Sequence, residues 1–139
     1  MTISVFKKYL QRMAVVALAA GLFVSCKKDK KDDVPEPGTG YPKEVNVTYK
    51  VTVASGAIPS CRFDYFNETG GMTIEQNVPV PITKTFKRTV NRLDYVGFTV
   101  ASTAGGSLKL EILVNNTPVE SQTFSGSGTF AGTVKYIFP

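Results

Sequence analysis

From Glu44 onward, apolar and polar side chains alternate with a period of two. Val45, Val47, Tyr49, Val51 and Val53 interleave with Asn46, Thr48, Lys50, Thr52 and Ala54. A strand with one face in a core and the other in water has this pattern. Cys61, Phe63 and Tyr65 against Arg62 and Asp64 predict a second strand. Met72, Ile74 and Val78 predict a third, closed by Pro79-Val80-Pro81. Ile82, Phe86 and Val90 then alternate with Thr83, Thr85, Lys87 and Thr89, and residues 93–103 read as a longer strand with Val96, Phe98 and Val100 inward. Leu108, Leu110, Ile112 and Val114 alternate with Lys109 and Glu111; residues 118–124 follow, and a last strand carries Phe130, Val134, Tyr136 and Phe138.

Turn chemistry punctuates these runs. Residues 67–71 (NETGG), Ala104-Gly105-Gly106 and residues 125–128 (SGSG) are loop signals, and Asn115-Asn116 suits a tight hairpin because Asn tolerates positive φ. No stretch has a helical period. Seven or eight short strands with turns between them predict an all-β fold, an antiparallel immunoglobulin-like β-sandwich over residues 44–139. Each sheet is expected to have one wet face.

The first 26 residues follow a different rule. Lys7, Lys8 and Arg12 make a cationic start, residues 13–24 (MAVVALAAGLFV) carry no charge, and Ser25-Cys26 comes next. That is a secretory signal peptide over residues 1–25. The apolar run is well short of the roughly 20 residues that a membrane-spanning helix needs. Leu22-Phe23-Val24-Ser25-Cys26 looks like a lipobox, the processing signal of bacterial lipoproteins, of the permissive kind found in Bacteroidetes. The resemblance implies lipidation at Cys26: a diacylglyceryl thioether on sulfur, with an acyl chain such as palmitate on the freed amino group. Two or three chains suffice for stable anchoring, at about 0.8 kcal/mol per buried CH₂.

Residues 26–43 then read as a lipid-anchored linker. Lys, Asp, Pro and Gly dominate it, so it cannot bury a core and is expected to be disordered. Residues 27–42 of it would span about 20–24 Å as a coil and at most about 55 Å extended. The run Lys30-Lys31-Asp32-Asp33 reads as a solvated spacer, or, by resemblance, as a surface-export signal.

Charge and composition narrow the chemistry. The formal charge is +5, from 16 cations and 11 acids. Losing Lys7, Lys8 and Arg12 with the signal leaves 13 cations against 11 acids, too even for a nucleic-acid footprint. The chain has no His and no Trp, so the commonest general base and the commonest metal ligand are missing. With Cys26 acylated, Cys61 has no disulfide partner. It shares a face with Phe63 and Tyr65 and reads as a buried, inert thiol.

The acids Asp64, Glu68, Glu75, Asp94, Glu111 and Glu120 are dispersed, and the glycine pairs lack the context of a phosphate loop. No catalytic residue, cofactor or metal site is expected. Lys84 and Arg88 share a strand face while Lys87 takes the other, as in strands whose charges guard a sheet edge; Arg92 follows. Asn46-Val47-Thr48, Asn67-Glu68-Thr69 and Asn115-Asn116-Thr117 match the N-glycosylation triplet, which a bacterial lipoprotein does not ordinarily use.

The order of segments in residues 45–138 resembles the extracytoplasmic domain of the MmpS (mycobacterial membrane protein, small) family. The likeness lies in Val47-Thr48-Tyr49-Lys50-Val51-Thr52, an aromatic-rich strand, and Asn77-Val78-Pro79-Val80-Pro81 before a Thr-rich strand. It continues in Gly105-Gly106-Ser107-Leu108 and Ile112-Leu113-Val114-Asn115-Asn116. The resemblance implies a β-sandwich and a role beside RND-type lipid exporters. The chain differs from that family in having a lipid anchor for a transmembrane helix and Leu110 where the family tends to carry a cysteine.

The expected protein is a lipid-anchored envelope lipoprotein, on the outer membrane, facing the periplasm or the surface. It would bind or scaffold, with a membrane transporter or another envelope protein as partner and no nucleic acid. The alternative is a surface module for glycan or host ligand, with Tyr41, Tyr65, Phe66, Tyr95 and Tyr136 as its available rings, most of them expected to be buried.

Overall fold

The computed structural model describes residues 40–139. The expected signal peptide, Cys26 and nearly all of the expected linker lie outside the described residues. Eight strands follow in order: β1 (Lys43–Gly56), β2 (Ser60–Phe66), β3 (Met72–Pro79), β4 (Ile82–Val90), β5 (Tyr95–Ser102), β6 (Gly106–Val114), β7 (Thr117–Gly126) and β8 (Phe130–Ile137). No helix forms among the described residues. Two antiparallel four-stranded sheets, β4-β1-β6-β7 and β3-β2-β5-β8, pack face to face as a β-sandwich.

The alternation in the chain becomes the core. Val45, Val47, Tyr49 and Val51 from β1, Leu108, Leu110 and Ile112 from β6, Phe63 from β2 and Val96, Phe98 and Val100 from β5 are all buried. Aromatic rings dominate its centre. Tyr49 meets Phe86 at 5.4 Å and Phe98 at 4.9 Å between centroids, and Phe63 meets Phe98 edge-on at 5.4 Å. Such contacts hold the sheets beyond simple area burial.

Turn residues behave as their chemistry dictates. Asn115 and Asn116 have φ of 49° and 66°, the left-handed pair that a two-residue hairpin requires. Asn115 also ties the turn to β1: its N–H donates to the Asn46 carbonyl at 2.8 Å, and its Oδ1 accepts from the Asn46 N–H at 2.9 Å. In the β2–β3 turn, Asn67 Oδ1 accepts from the N–H groups of Thr69 and Gly71, each at 3.1 Å.

Four apolar positions depart from the alternation. Leu93 is not in a strand; it sits in the β4–β5 turn with φ of 68°, 71% exposed. Asp94 sets that turn by accepting the Asn91 N–H at 2.8 Å, so β5 starts only at Tyr95. Val53 is 39% exposed, because the β4 ladder ends at Ile82 opposite Val51 and leaves Val53 without a neighbour on that side. On β3 the apolar Met72 and Ile74 face water, while Thr73, Glu75 and Val78 take the inner slots. Asn77, at φ of 54°, makes a bulge that puts two residues of β3 opposite one of β2 and so switches the phase.

Candidate functional site

The two outer faces of the sandwich differ in kind. Thr83, Thr85, Thr48, Lys50, Lys109, Glu111, Ser121 and Thr123 cover most of the β4-β1-β6-β7 sheet, with the half-buried Leu113 and the exposed Pro118 beside them; the surface is largely hydrophilic, with the Thr48 and Thr85 hydroxyls bonded at 2.9 Å. The β3-β2-β5-β8 sheet carries an apolar band instead. Met72 stands opposite the half-buried Phe66, whose ring meets Tyr95 edge-on at 4.8 Å, and Tyr95 stands opposite Ile137. Directly paired residues share a face, so the band crosses all four strands. Lys135 places its ammonium 4.2 Å from the Tyr95 ring centroid. Exposure is 60% at Met72, 54% at Ile74, 39% at Tyr95 and 51% at Ile137.

The other end of the same face is polar. The Arg62 guanidinium forks onto Asp64, with Nε at 2.8 and 2.9 Å from the two carboxylate oxygens and a second nitrogen at 2.7 Å. Beyond it, the Asn77 bulge opens a recess of about 210 Å³ lined by Ser60, Arg62, Gln76, Asn77, Ser102 and Thr103, among others. Hydroxyl, amide and guanidinium groups offer hydrogen bonds there but no nucleophile–base pair. Cys61 also contributes to the wall, yet it is 3% exposed and burial pushes its thiol pKa up, which keeps it protonated.

A second polar group closes the flank where the edge strands β3 and β4 meet. Glu75 accepts from the Tyr65 hydroxyl at 3.0 Å and from Lys84 at 3.2 Å, and Lys84 lies 5.0 Å from the Tyr65 ring centroid. The Tyr65 hydroxyl and the Glu75 carboxylate both hold the Lys84 ammonium above its usual pKa. Lys84 and Arg88 do share a face, and it is the inward one, with Ile82, Phe86 and Val90. Inward charges on an edge strand stop further strands from pairing there. Arg88 reaches across to the Tyr95 carbonyl at 3.0 Å.

The acidic residues are spread out. Asp64, Glu75 and Glu111 each hold a cation, Glu120 accepts from Gln122, and Asp94 caps a turn. No three carboxylate or thiol groups converge among the described residues. Of the tyrosines and phenylalanine named from the sequence, Tyr65 is buried, Tyr41, Phe66 and Tyr136 are half-buried, and Tyr95 is exposed. Sequence reasoning missed the band: Met72 and Ile74 look like core residues until the register is known, and Ile137, on the outward phase of its own strand, joins them only through the strand order. No protein-family model matches the chain, and no curated protein matches it either.

Proposed function

We propose that this chain is a lipid-anchored lipoprotein of the bacterial outer membrane. Its sandwich binds or scaffolds in the envelope, as an accessory to a membrane transporter or another envelope protein, and does not catalyse. The observation that carries the binding role is the asymmetry of the two outer faces. A free-standing sandwich gains nothing from exposing large apolar side chains across one sheet while keeping the other largely hydrophilic, and such patches mark interaction surfaces. The anchor reading rests on the charge-free run ending at Ser25-Cys26, and the transporter link on the resemblance to the MmpS family.

Metabolic labelling with a fatty-acid probe tests the anchor. The natural chain should take label and fractionate with membranes, and the Cys26→Ala chain should do neither. A photo-crosslinking residue at Thr99, in the middle of the banded face, tests the binding role against one at Thr85 on the hydrophilic face. Crosslinks to envelope proteins should come from Thr99; equal yields from both faces would count against it.

The second reading, a glycan-binding surface module, is favoured by the polar recess at the Asn77 bulge. Affinity gels cast with envelope or host polysaccharides would separate the two. Retardation that Gln76→Ala and Asn77→Ala abolish belongs to the glycan reading alone.

A further inference from the structure

We infer that the banded end of the sandwich rests on the bilayer surface, with Leu93, Tyr95 and Ile137 in the interface of an anionic membrane. This deepens the lipoprotein reading and rests on it: the entry end of the face meets lipid, and the middle of the same face, around Thr99, is left for an envelope partner.

Three observations converge. The first is where the chain enters. Lys43 pairs with Val90, and its ammonium lies 4.4 Å from the Tyr41 ring centroid and 5.9 Å from that of Phe138. Leu93 N–H donates to the Phe138 carbonyl at 2.9 Å. The start of β1, the β4–β5 turn and the C-terminal residues therefore share one end. Any segment that ties the domain to Cys26 leaves from that end.

The second is where the apolar side chains lie. Six large apolar residues are exposed among those described: Val53, Met72, Ile74, Leu93, Tyr95 and Ile137. Met72, Leu93, Tyr95 and Ile137 belong to the entry end of the banded sheet or to its adjoining turn, while Ile74 stands further along the face, opposite Asp64. Leu93 is the sharpest case. It is 71% exposed and held at φ of 68°, so a β-carbon-bearing apolar residue occupies a left-handed turn with little packing in return. A polar Asn or Gly would satisfy that turn; an exposed leucine there is explained by a surface it meets.

The third is charge. Lys43, Arg92 and Lys135 form no ion pair among the described residues, and Lys87 neutralises Glu44; against these three cations stand two carboxylates without a cation, Asp94 in the β4–β5 turn and Glu68 in the β2–β3 turn, so the end keeps a small positive excess. Lys135 over the exposed Tyr95 puts an ammonium group beside an aromatic ring. That pairing suits the headgroup level, where rings sit amphipathically and cations meet lipid phosphates. A protein partner would need no such coincidence with the entry point. The polar recess, at the opposite end, then faces away from the membrane.

The chain has no Trp, so single tryptophans report cleanly. Leu93→Trp, Ile137→Trp and the distant Val53→Trp would be placed in the full lipidated chain. Each would be reconstituted in vesicles of phosphatidylethanolamine with a minority of phosphatidylglycerol. Circular dichroism checks that each folds. Emission at positions 93 and 137 should shift to the blue and be quenched by bromine-labelled lipid several-fold more strongly than at 53. Water-like emission at all three positions on an anchored chain would overturn the inference while leaving the anchor intact. Shielding at 93 that appears without lipid and grows with protein concentration would overturn it in favour of a second copy. If the anchor reading is wrong instead, the chain washes off the vesicles, yet excess lipid still shifts Leu93→Trp.

Discussion

The hydroxyl of Tyr49 donates to the carbonyl oxygen of Phe66 at 2.9 Å, although the two residues lie in opposite sheets. The Tyr49 hydroxyl oxygen in turn accepts the N–H of Gly97 at 3.2 Å. The β2–β5 ladder runs from Arg62↔Ala101 to Tyr65↔Phe98 and stops. At the next rung the phenol of β1 fills the gap, satisfying one group from each strand. It stitches the sheets together directly beneath the Phe66–Tyr95 pair of the apolar band.

Tyr49→Phe should therefore destabilise the domain while keeping the ring packing. Leaving buried backbone groups unpaired costs about 1–3 kcal/mol. The urea midpoint should fall at an unchanged m-value. Melting should drop by roughly 4–8 °C per kcal/mol for a domain of this size. A midpoint equal to the natural chain's would show that the hydroxyl bridge contributes nothing.

Stability should also fall in alkali. Burial raises the Tyr49 pKa far above its ordinary value, more than the Gly97 N–H and Arg88 lower it, and burial raises that of Cys61 as well. Both groups stay protonated in the fold after their unfolded counterparts have ionised. Their contribution is complete below their ordinary values and is lost as pH climbs past about 9 to 10. Urea midpoints from neutral to strongly alkaline pH should decline over that range, and Tyr49→Phe should decline less steeply.

Gly132→Ala should be costly and Gly128→Ala close to neutral. A Cβ on Gly132 would fall into the Phe124 ring of β7, which lies flush on the β8 backbone, whereas nothing lies within 4 Å of one on Gly128. Overpacking of this kind costs about 1–3 kcal/mol. Thermal melts of the two variants side by side decide it.

Cys61 should be inert to thiol reagents in the folded domain and reactive after unfolding. It is buried between the sheets with its thiol kept protonated. Cys61→Ala should cost about 1 kcal/mol, as a small core truncation does. Cys61→Asp should cost far more, by burying an unpaired charge. Rapid labelling of the native protein would mean that the recess beside Cys61 admits reagents to the sulfur.

The eight strands, the tight turn at Asn115-Asn116 and the inward set Val47, Tyr49, Phe63, Phe98 and Leu110 were legible in the chain, because a period of two and the turn preferences of Asn and Gly are local properties. Tertiary structure decided the rest. Alternation says which side chains share a face, not which strand lies beside which, and β1 between β4 and β6 joins residues dozens of positions apart. Only that order brings the Tyr49 hydroxyl between Phe66 and Gly97. The Asn77 bulge resets the phase of β3, so Met72 and Ile74, apolar and alternating like any core pair, face water. Leu93 likewise could not be told from a strand residue until Asp94 and Phe138 drew its backbone into a turn. The proposed lipid signal at Cys26 rests on the sequence alone. The band at the entry end is a feature of register and packing, because burial depends on neighbours that only the assembled sheets supply.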